Sequence, residues 1–244
     1  MRRLGDTVDA DRTEHVTENC KGRHVAKRIL QVPELLVGFD TETTGLDVTS
    51  ERAISYGFCV YRFGRLVREE HFYVVPDRPI APAARKVHGL SVEDIEAKRS
   101  TDVVLTVKAG LTRALNILRE YHNLGAYFVG ANVVRFDLEM LRRSAQSILG
   151  TSLDGGDFDI SLLRVIDVIE HDLVIEPSRE LRPRRGLDFL CRTYGVSPGQ
   201  HHALGDARAT VEVFIEQVIR NNAGQLTLDL SATESEMDVT VEAH

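Results

Sequence analysis

The sequence predicts an α/β domain in which helices cover the faces of a mixed β-sheet. Three observations lead to this fold class: three strand-like runs open the domain, a long segment of helical periodicity follows them, and strand-like and helix-like segments alternate from there on. The chain has 244 residues, of which 43% are hydrophobic and 27% charged. This size and composition are those of one globular domain with a substantial core and flanking tails.

The strand-like runs at the start are short and bounded by turns. Residues 35–39 are apolar throughout, as expected of a buried strand. Residues 52–61 and 66–75 are rich in β-branched and aromatic residues and flank a turn, so they predict an antiparallel hairpin. Further along, Ser91 and Asp94 have the spacing of a capping box, which predicts the start of a short helix.

Helical and strand-like segments alternate through the remainder of the domain. Leucines at helical spacing predict an amphipathic helix, and glycines after two of the helical segments are expected to end them. The predicted elements are a helix over 102–121, a strand over 127–130, a helix over 135–149, a strand or helix over 160–169, and helices over 186–194 and 204–220. In open α/β sheets, ligand sites are common at the carboxyl ends of strands, such as the end of the first one.

Two polar segments flank this domain. Residues 1–33 are mixed in charge, and we expect an N-terminal extension that ends at Pro33. Residues 222–244 form an acidic tail without Lys or Arg, and from Ala223 onward its composition predicts a flexible, disordered segment. The domain proper therefore spans 34–221. It is nearly neutral, because five of the acids behind the net charge of −7 lie in the tail.

Composition also restricts the location and partners of the protein. No apolar run approaches the length of about 20 residues that a membrane helix needs, and the N-terminus lacks the apolar core of a secretory signal. The three cysteines contain no C-x-x-C pair, which fits a reducing cytoplasm and argues against a disulfide framework or a zinc site. A nearly neutral domain can hold a short stretch of nucleic acid but is poorly suited to binding long duplexes by charge alone.

Asp40 and Glu42 directly follow the first predicted strand. Because residues two apart in an extended chain point to the same side, their carboxylates share one face and would repel each other without a cation. Hard oxygen ligands of this kind suit Mg²⁺ or Mn²⁺. The pattern alone is also typical of solvated acids on a surface strand, but charges placed just past a buried strand need partners, which favours a metal site.

Two further acids and a histidine lie at predicted helix starts. Asp137 follows the strand over 127–130, and His201 and Asp206 flank the start of the last helix. Taken singly, each acid could be a first-turn residue favoured by the helix dipole, and the histidine an exposed residue. Taken together, four acids and an imidazole at strand ends and helix starts are what two-metal phosphodiester hydrolysis needs. A neutral histidine can accept the proton of the attacking water.

Three stretches occur in the order and with the flanks of known exonuclease motifs. They are residues 40–46 (DTETTGL), 132–137 and 201–206, and they resemble the motifs of the DnaQ-like DEDDh family of 3′→5′ exonucleases. Residues 87–91 and the helix predicted over 186–194 also look like segments of that family. The resemblance implies an RNase H-like fold, with a five-stranded mixed sheet between helices, and makes 34–221 an exonuclease domain.

The resemblance also implies which side chains hold metal. The ligands of two divalent cations, Mg²⁺ or Mn²⁺, would be Asp40 for both ions, Glu42 and Asp206 for the catalytic one, and Asp137 for the second. His201 would act as the general base. The adjacent His202 would take its place if the start of the helix were rotated, although the spacing to Asp206 favours His201.

A pocket for the terminal nucleotide is implied as well. The residues expected to line it are Thr43, Gly45, Leu46, His88, Asn132 and Phe136. Leu46 would pack against bases. His88 is equally well explained as an ordinary histidine in a turn.

Residues 225–230 (QLTLDL) place three leucines in an otherwise polar tail, where exposed apolar side chains are costly. They could pack back on the domain as a last strand or helical turn, or order only on a partner. The segment resembles the bacterial sliding-clamp-binding hexapeptide Q-L-x-L-x-L. That resemblance implies clamp contacts through Gln225, Leu226, Leu228 and Leu230, and a tether that raises the local concentration of the enzyme at a primer end.

The function predicted from these features is a metal-dependent 3′→5′ DNA exonuclease. It would release nucleoside 5′-monophosphates from single-stranded or frayed 3′ ends, in proofreading or repair beside a DNA polymerase. One alternative is an RNA exonuclease of the RNA-trimming or oligoribonuclease type, although residues 41–45 (TETTG) look more like the DNA group. Another is a non-catalytic adaptor between clamp and polymerase, against which the complete set of acids argues.

Overall fold

The computed structural model of the chain describes residues 31–155, 158–176 and 186–238, with side chains described as far as residue 223. The predicted N-terminal extension therefore lies outside the described residues, except for 31–33. The side chains of the clamp-like segment 225–230 also lie outside them.

The centre of the fold is a six-stranded mixed sheet of order β4-β3-β2-β1-β5-β6. Its strands are β1 (Leu35–Thr43), β2 (Ala53–Arg62), β3 (Arg65–Val75), β4 (Val104–Thr106), β5 (Tyr127–Gly130) and β6 (Arg164–Asp167). β2 pairs antiparallel with both β1 and β3, whereas β4 pairs parallel with β3, β5 with β1, and β6 with β5. The predicted hairpin and the mixed sheet are confirmed.

Helices cover both faces of this sheet. They are α1 (Pro82–His88), α2 (Val92–Ala97), α3 (Val107–Asn123), α4 (Glu139–Ser144), α5 (Val168–Ile175), α6 (Leu187–Tyr194) and α7 (Ala203–Asp238). Short 3-10 turns lie at Lys98–Ser100 and Ile160–Leu162, and π-helical turns at Val134–Leu138 and Ala145–Leu149. The capping box predicted at Ser91 and Asp94 opens α2. Side chains of α3 and α4 pack on one face of the sheet and those of α5, α6 and α7 on the other, so the α/β architecture is confirmed.

The sheet has six strands, not the five that the family resemblance implied. The additional strand is β4, which occupies the start of the segment predicted as a helix over 102–121. Val104 lies opposite Tyr73 of β3, so the β-forming residues at this point gain a neighbouring strand. Thr106 then caps α3 by accepting a hydrogen bond of 3.3 Å from the backbone nitrogen of Ala109.

Two predicted strands also differ in length from the strands observed, because of contacts with neighbouring elements. The prediction ends β1 at Phe39, but the strand continues to Thr43 because β2 supplies a partner along its whole length. The apolar segment 160–169 contains only four strand residues. It turns into α5 after Asp167, which caps that helix by accepting a hydrogen bond of 3.0 Å from the backbone nitrogen of Ile169.

Two of the predicted helices differ from expectation. The segment over 135–149 is α-helical only in its middle, and Gly150 ends it in the left-handed conformation with a φ of 66°. The backbone of α7 continues as far as Asp238, although composition predicts disorder from Ala223 onward. Adding residues to a helix that is already nucleated costs less than starting a new one. Within the described ranges, no helix is both long and apolar enough to cross a membrane.

Two glycines let α7 lie directly on the sheet. A Cβ atom on Gly38 would lie 2.3 Å from the carbonyl oxygen of Ala207, and one on Gly57 would lie 2.3 Å from the backbone of Ala203. Both distances are far below van der Waals contact, so a larger residue would push the helix away. The first turn of α7 therefore reaches the level of β1 that carries Asp40, whose register partner is Gly57.

Candidate active site

Alternation along β1 places two acids on the face that α7 covers. Leu36 belongs to the hydrophobic cluster beneath α7 and Gly38 contacts that helix, so Asp40 and Glu42 at the same periodicity point the same way. β5 pairs with β1 only as far as Gly38. The two carboxylates therefore lie beyond the end of β5, and Asp40 lines a cavity of about 790 Å³ there.

The third acid comes from α7. Asp206 lies in the first turn of that helix, and carboxylate oxygens of Asp40, Glu42 and Asp206 all fall within 4.8 Å of one another. The backbone of Gly199 and of His201 lies beside the Asp206 carboxylate and opposes the rise in its pKa. The fold therefore brings together three of the four side chains predicted to bind metal.

The fourth acid, Asp137, is buried beside this group, with 3% of its surface exposed. It lies on the π-helical turn after β5, and its Oδ1 accepts a hydrogen bond of 2.6 Å from Thr41 Oγ1. Thr41 lies between the two acids of β1 and, by strand alternation, points to the opposite face. Asp137 therefore approaches β1 from its other side, near enough for its charge to raise the pKa of Asp40 and Glu42.

The pKa values of all four carboxyl groups are raised, and burial is the largest cause in each case. Burial and repulsion from neighbouring acids raise the pKa of Asp40 well above its ordinary value and that of Glu42 to about 8. Burial raises the pKa of Asp137 to about 7, although a side-chain hydrogen bond opposes this shift. The pKa of Asp206 rises to about 6 for the same reason, although a nearby histidine opposes the shift.

This acidic cluster fits divalent cations. Buried carboxylates that repel one another need either protons or a positive charge. Among the described residues that line the cavity, Arg135 is the only Lys or Arg, and it is paired with Glu170 at 3.4 Å. Carboxylate oxygens are the hard donors that Mg²⁺ and Mn²⁺ prefer, so Asp40, Glu42 and Asp206 form a candidate metal centre.

The raised pKa values predict how the stability of the metal-free protein depends on pH. In the folded protein the pKa of Glu42 is about 8 and that of Asp137 is about 7. The carboxyl groups of an unfolded chain have pKa values of about 4. The folded protein therefore binds more protons than the unfolded chain across this interval, so its free energy of unfolding falls as pH rises. In EDTA we expect the Tm to fall between about pH 6.5 and 8.5, by about 2–4 °C for each kcal/mol lost.

Thermal melts followed by circular dichroism measure this effect. The interval lies above the range in which His71 titrates, since burial lowers the pKa of that ring to about 4. Saturating Mn²⁺ should remove the slope, because metal binding favours ionised carboxylates. Asp40→Asn should flatten it in EDTA as well. A Tm in EDTA that rises over this interval would contradict our interpretation of the cluster.

The two adjacent histidines lie in different places. His201 lines the cavity together with Asp40 and Asp206. The ring of His202 lies instead over the neighbouring part of the sheet, with its centroid 4.6 Å from that of His71. Of the two candidate bases, His201 is therefore the one at the acidic cluster.

The residues expected to bind the terminal nucleotide fall into two groups. Leu46, which is 84% exposed, and Asn132 line the cavity. Thr43, Gly45 and Phe136 are not among the residues that line it. Thr43 is buried and its Oγ1 donates a hydrogen bond of 2.8 Å to the carbonyl oxygen of Gly45. Phe136 is partly buried against the hydrophobic core.

His88 contacts the loop that follows β1. Its Nδ1 accepts a hydrogen bond of 3.0 Å from the backbone nitrogen of Leu90, so the proton of the neutral ring lies on Nε2. Nε2 lies 3.2 Å from the carbonyl oxygen of Thr43, to which it donates. Burial lowers the pKa of His88, which favours this neutral form. His88 therefore fixes the backbone immediately before the loop that exposes Leu46.

Three acids of the cavity, Asp167, Glu170 and Asp188, are not among the predicted site residues. Asp167 ends β6 and contributes to the raised pKa of Asp137, while Asp188 lies in the first turn of α6 and contributes to that of Asp206. A local signal exists for Asp167, because it ends an apolar run as Asp40 does. Its closeness to the other acids, however, depends on the pairing of β6 with β5.

Comparison with known proteins identifies relatives that share this sequence pattern. A sequence model of the RNase_T exonuclease family matches residues 37–214. The PolC-type DNA polymerase III of Thermotoga petrophila is 28% identical over 183 residues, which cover 75% of this chain and 12% of that protein. The epsilon subunit of DNA polymerase III from Haemophilus influenzae is 27% identical over 194 residues, which cover 75% of this chain and 67% of the subunit.

Solved structures share the fold. Exonuclease I superimposes with a TM-score of 0.62 at 18% identity, covering 82% of this chain and 44% of that one. E. coli exonuclease I in complex with a dT13 oligonucleotide gives a TM-score of 0.59 at 18% identity, covering 81% and 43%. The RNase H-like architecture that the sequence resemblance implied is confirmed. This chain spans less than half of exonuclease I and only 12% of the PolC-type relative.

The family match includes every member of the acidic site, because Asp40 and Asp206 both lie inside the matched span. That span is well over half of the chain. The polymerase III relatives and the shared fold agree with the likeness to DnaQ-like exonucleases seen in the motifs. This chain therefore belongs to the RNase_T family of exonucleases, in its DnaQ-like group.

Proposed function

We propose that this protein is a metal-dependent 3′→5′ exonuclease that releases nucleoside 5′-monophosphates from the 3′ ends of single-stranded or frayed DNA. The observation that carries the proposal is the meeting of Asp40, Glu42 and Asp206 within 4.8 Å, next to His201 at an open cavity. Membership of an exonuclease family supports hydrolysis of phosphodiester bonds at this centre.

The acids would hold two divalent cations, Mg²⁺ or Mn²⁺. Asp40 would contact both, Glu42 and Asp206 would hold the catalytic one, and Asp137 would support the other. When bound, such ions stabilise the charge that develops on the attacking and leaving oxygens. Thr41 orients Asp137 through its 2.6 Å hydrogen bond to Oδ1 of that carboxylate.

His201 would accept the proton of the attacking water. A neutral imidazole at the edge of the cavity is suited to this task near neutral pH. His201 and Asp206 line the same cavity from the start of α7, so the proposed base lies beside a proposed metal ligand. Leu46 and Asn132 would contact the terminal nucleotide from the walls of the cavity, with Thr43, Gly45 and His88 shaping the loop behind it.

DNA is the substrate that the relatives favour. The curated relatives are named as a subunit or type of DNA polymerase III, and exonuclease I has been solved with dT13 and dA16 oligonucleotides. Those names and ligands belong to the relatives, and they support a DNA end as the substrate here. Proofreading or repair beside a replicative polymerase is the setting that we propose.

A digestion of matched DNA and RNA tests the proposal. One sequence is prepared in both chemistries, labelled at its 5′ end, and incubated with Mg²⁺ or Mn²⁺ as a single strand and as a primer with a matched or mismatched end. We expect a ladder of progressively shortened DNA and nucleoside 5′-monophosphates as products, with the mismatched primer cut faster than the matched one. Faster digestion of RNA would favour the RNA exonuclease. No digestion, and no Mn²⁺ binding by calorimetry, would favour the adaptor.

We also propose that residues 225–230 attach the enzyme to a sliding clamp and so bring it to a DNA polymerase. The hexapeptide QLTLDL and the polymerase III relatives support this attachment. Surface plasmon resonance with an immobilised bacterial clamp compares the full chain with a Gln225→Ala/Leu228→Ala variant. We expect binding by the first and not by the second, and equal or absent binding for both would remove the proposal.

A further inference from the structure

We infer that His202 is a positioning residue that keeps His201 directed at the acidic cluster, an inference that rests on the proposed function. The two histidines are adjacent in sequence, yet they lie on different sides of the start of α7. His201 lines the cavity with Asp40 and Asp206, whereas the ring of His202 lies against that of His71. A contact that fixes His202 therefore also fixes the backbone that presents His201.

The register of the sheet explains why the two rings separate. Asp40, Gly57 and His71 lie opposite one another on β1, β2 and β3. Because α7 begins directly over Gly57, the chain that enters this helix passes between Asp40 and His71. His201 falls on the Asp40 side of this crossing and His202 on the His71 side.

The backbone at the crossing has an uncommon conformation. Gln200 and His201 have φ values of 60° and 55°, in the left-handed region that residues with a Cβ atom rarely occupy. Two such residues in succession persist only where surrounding contacts hold them. Gly199 supplies one contact, since a Cβ atom there would lie 2.2 Å from the backbone nitrogen of Asp206. This part of the loop is thereby packed directly on α7.

His202 supplies the contact on the other side of the strained residues. Its ring centroid lies 4.6 Å from that of His71, and its Nε2 lies 3.5 Å from Tyr73 Oη. His71 is itself held by a hydrogen bond of 2.9 Å between its Nε2 and Ser55 Oγ, and by an edge-on contact with the ring of Tyr73 at 4.5 Å. His71 and Tyr73, against which the ring of His202 packs, are therefore residues of β3 and not of the loop.

Two variants at position 202 separate a positioning role from a chemical one. His202→Ala removes the ring that packs on His71, whereas His202→Phe keeps a ring without a titratable nitrogen. We expect His202→Ala to lower kcat about ten- to a hundredfold, as misplacement of a catalytic group does, with KM and Mn²⁺ affinity unchanged. His202→Phe should restore most of kcat. His122→Ala, at a histidine of α3 on the other face of the sheet, is the matched control.

A second measurement does not depend on activity. The ring nitrogens of ¹⁵N-labelled histidines are observed by NMR, with the signals of His201 assigned from their loss in His201→Gln. We expect these signals to move in His202→Ala and to return close to their wild-type positions in His202→Phe. Unmoved His201 signals in His202→Ala, or a wild-type kcat, would overturn the inference.

Two other outcomes have distinct meanings. An equal loss of kcat in His202→Phe and His202→Ala would show that the imidazole of His202 takes part in the chemistry, which also overturns a positioning role. A wild-type protein that digests neither DNA nor RNA would defeat the proposed function. In that case the NMR measurement alone decides whether His202 orients His201.

Discussion

Asp40→Asn should reduce the rate of DNA digestion by about 10³-fold or more, because it removes a charge on which the proposed metal centre depends. Asp40 joins the group with Glu42 and Asp206 and, like Asp206, lines the cavity. The amide keeps the shape of the side chain but loses the negative charge and one hard oxygen donor. Single-turnover digestion of a 5′-labelled strand at saturating Mn²⁺ measures the loss.

The same substitution should make the metal-free protein more stable. Burial and the charges of three neighbouring acids raise the pKa of Asp40, so its ionised form is unfavourable in the folded state. In EDTA near pH 8, Asp40→Asn should therefore melt at a higher temperature than the wild type, and it should gain little from added Mn²⁺. Glu93→Gln, at an exposed acid of α2, is the matched control. Activity of Asp40→Asn within tenfold of the wild type would count against the metal centre.

His201→Gln should lower kcat by about 10²–10⁴-fold, the range expected for loss of a general base. Its affinity for Mn²⁺ should stay close to that of the wild type, because the carboxylates remain in place. Rates at saturating Mn²⁺ and DNA, together with calorimetric titration with Mn²⁺, provide both quantities.

Addition of free imidazole to His201→Ala is a control for a role in proton transfer. Partial recovery of the rate would show that a diffusing base can replace the missing side chain. A variant that loses Mn²⁺ binding along with activity would instead make His201 part of the metal site. Wild-type activity in His201→Ala would remove the residue from the mechanism.

The sequence reveals much of this site because its residues carry local signals. Asp40 follows an apolar strand, Asp137 opens a helical segment, and Asp206 lies in the first turn of the last helix. Each of these signals is weak alone, and only their order along the chain points to one centre. The fold class follows in the same way, because hydrophobic periodicity distinguishes strands from helices before any contact is known.

What the sequence does not reveal depends on contacts between distant segments. β1 extends to Thr43 because β2 pairs with it, and β4 forms because β3 offers an edge. Asp167 becomes a neighbour of Asp137 only through the pairing of β6 with β5. The sequence also does not predict the left-handed conformation of Gln200, because that residue is not a glycine. The conformation depends on the packing of the loop on α7.

The candidate metal ligands come from opposite ends of the domain. Asp40 belongs to the first strand and Asp206 to the last helix, and the close fit of that helix over Gly57 is what joins them. An ion shared by the two would act as a reversible cross-link, doing by coordination what a disulfide does covalently. Since Asp206 is the last of these ligands to be translated, this link cannot close before the start of α7 has left the ribosome. Metal binding by the full set of acids would then follow the synthesis of nearly the whole sheet and its helices.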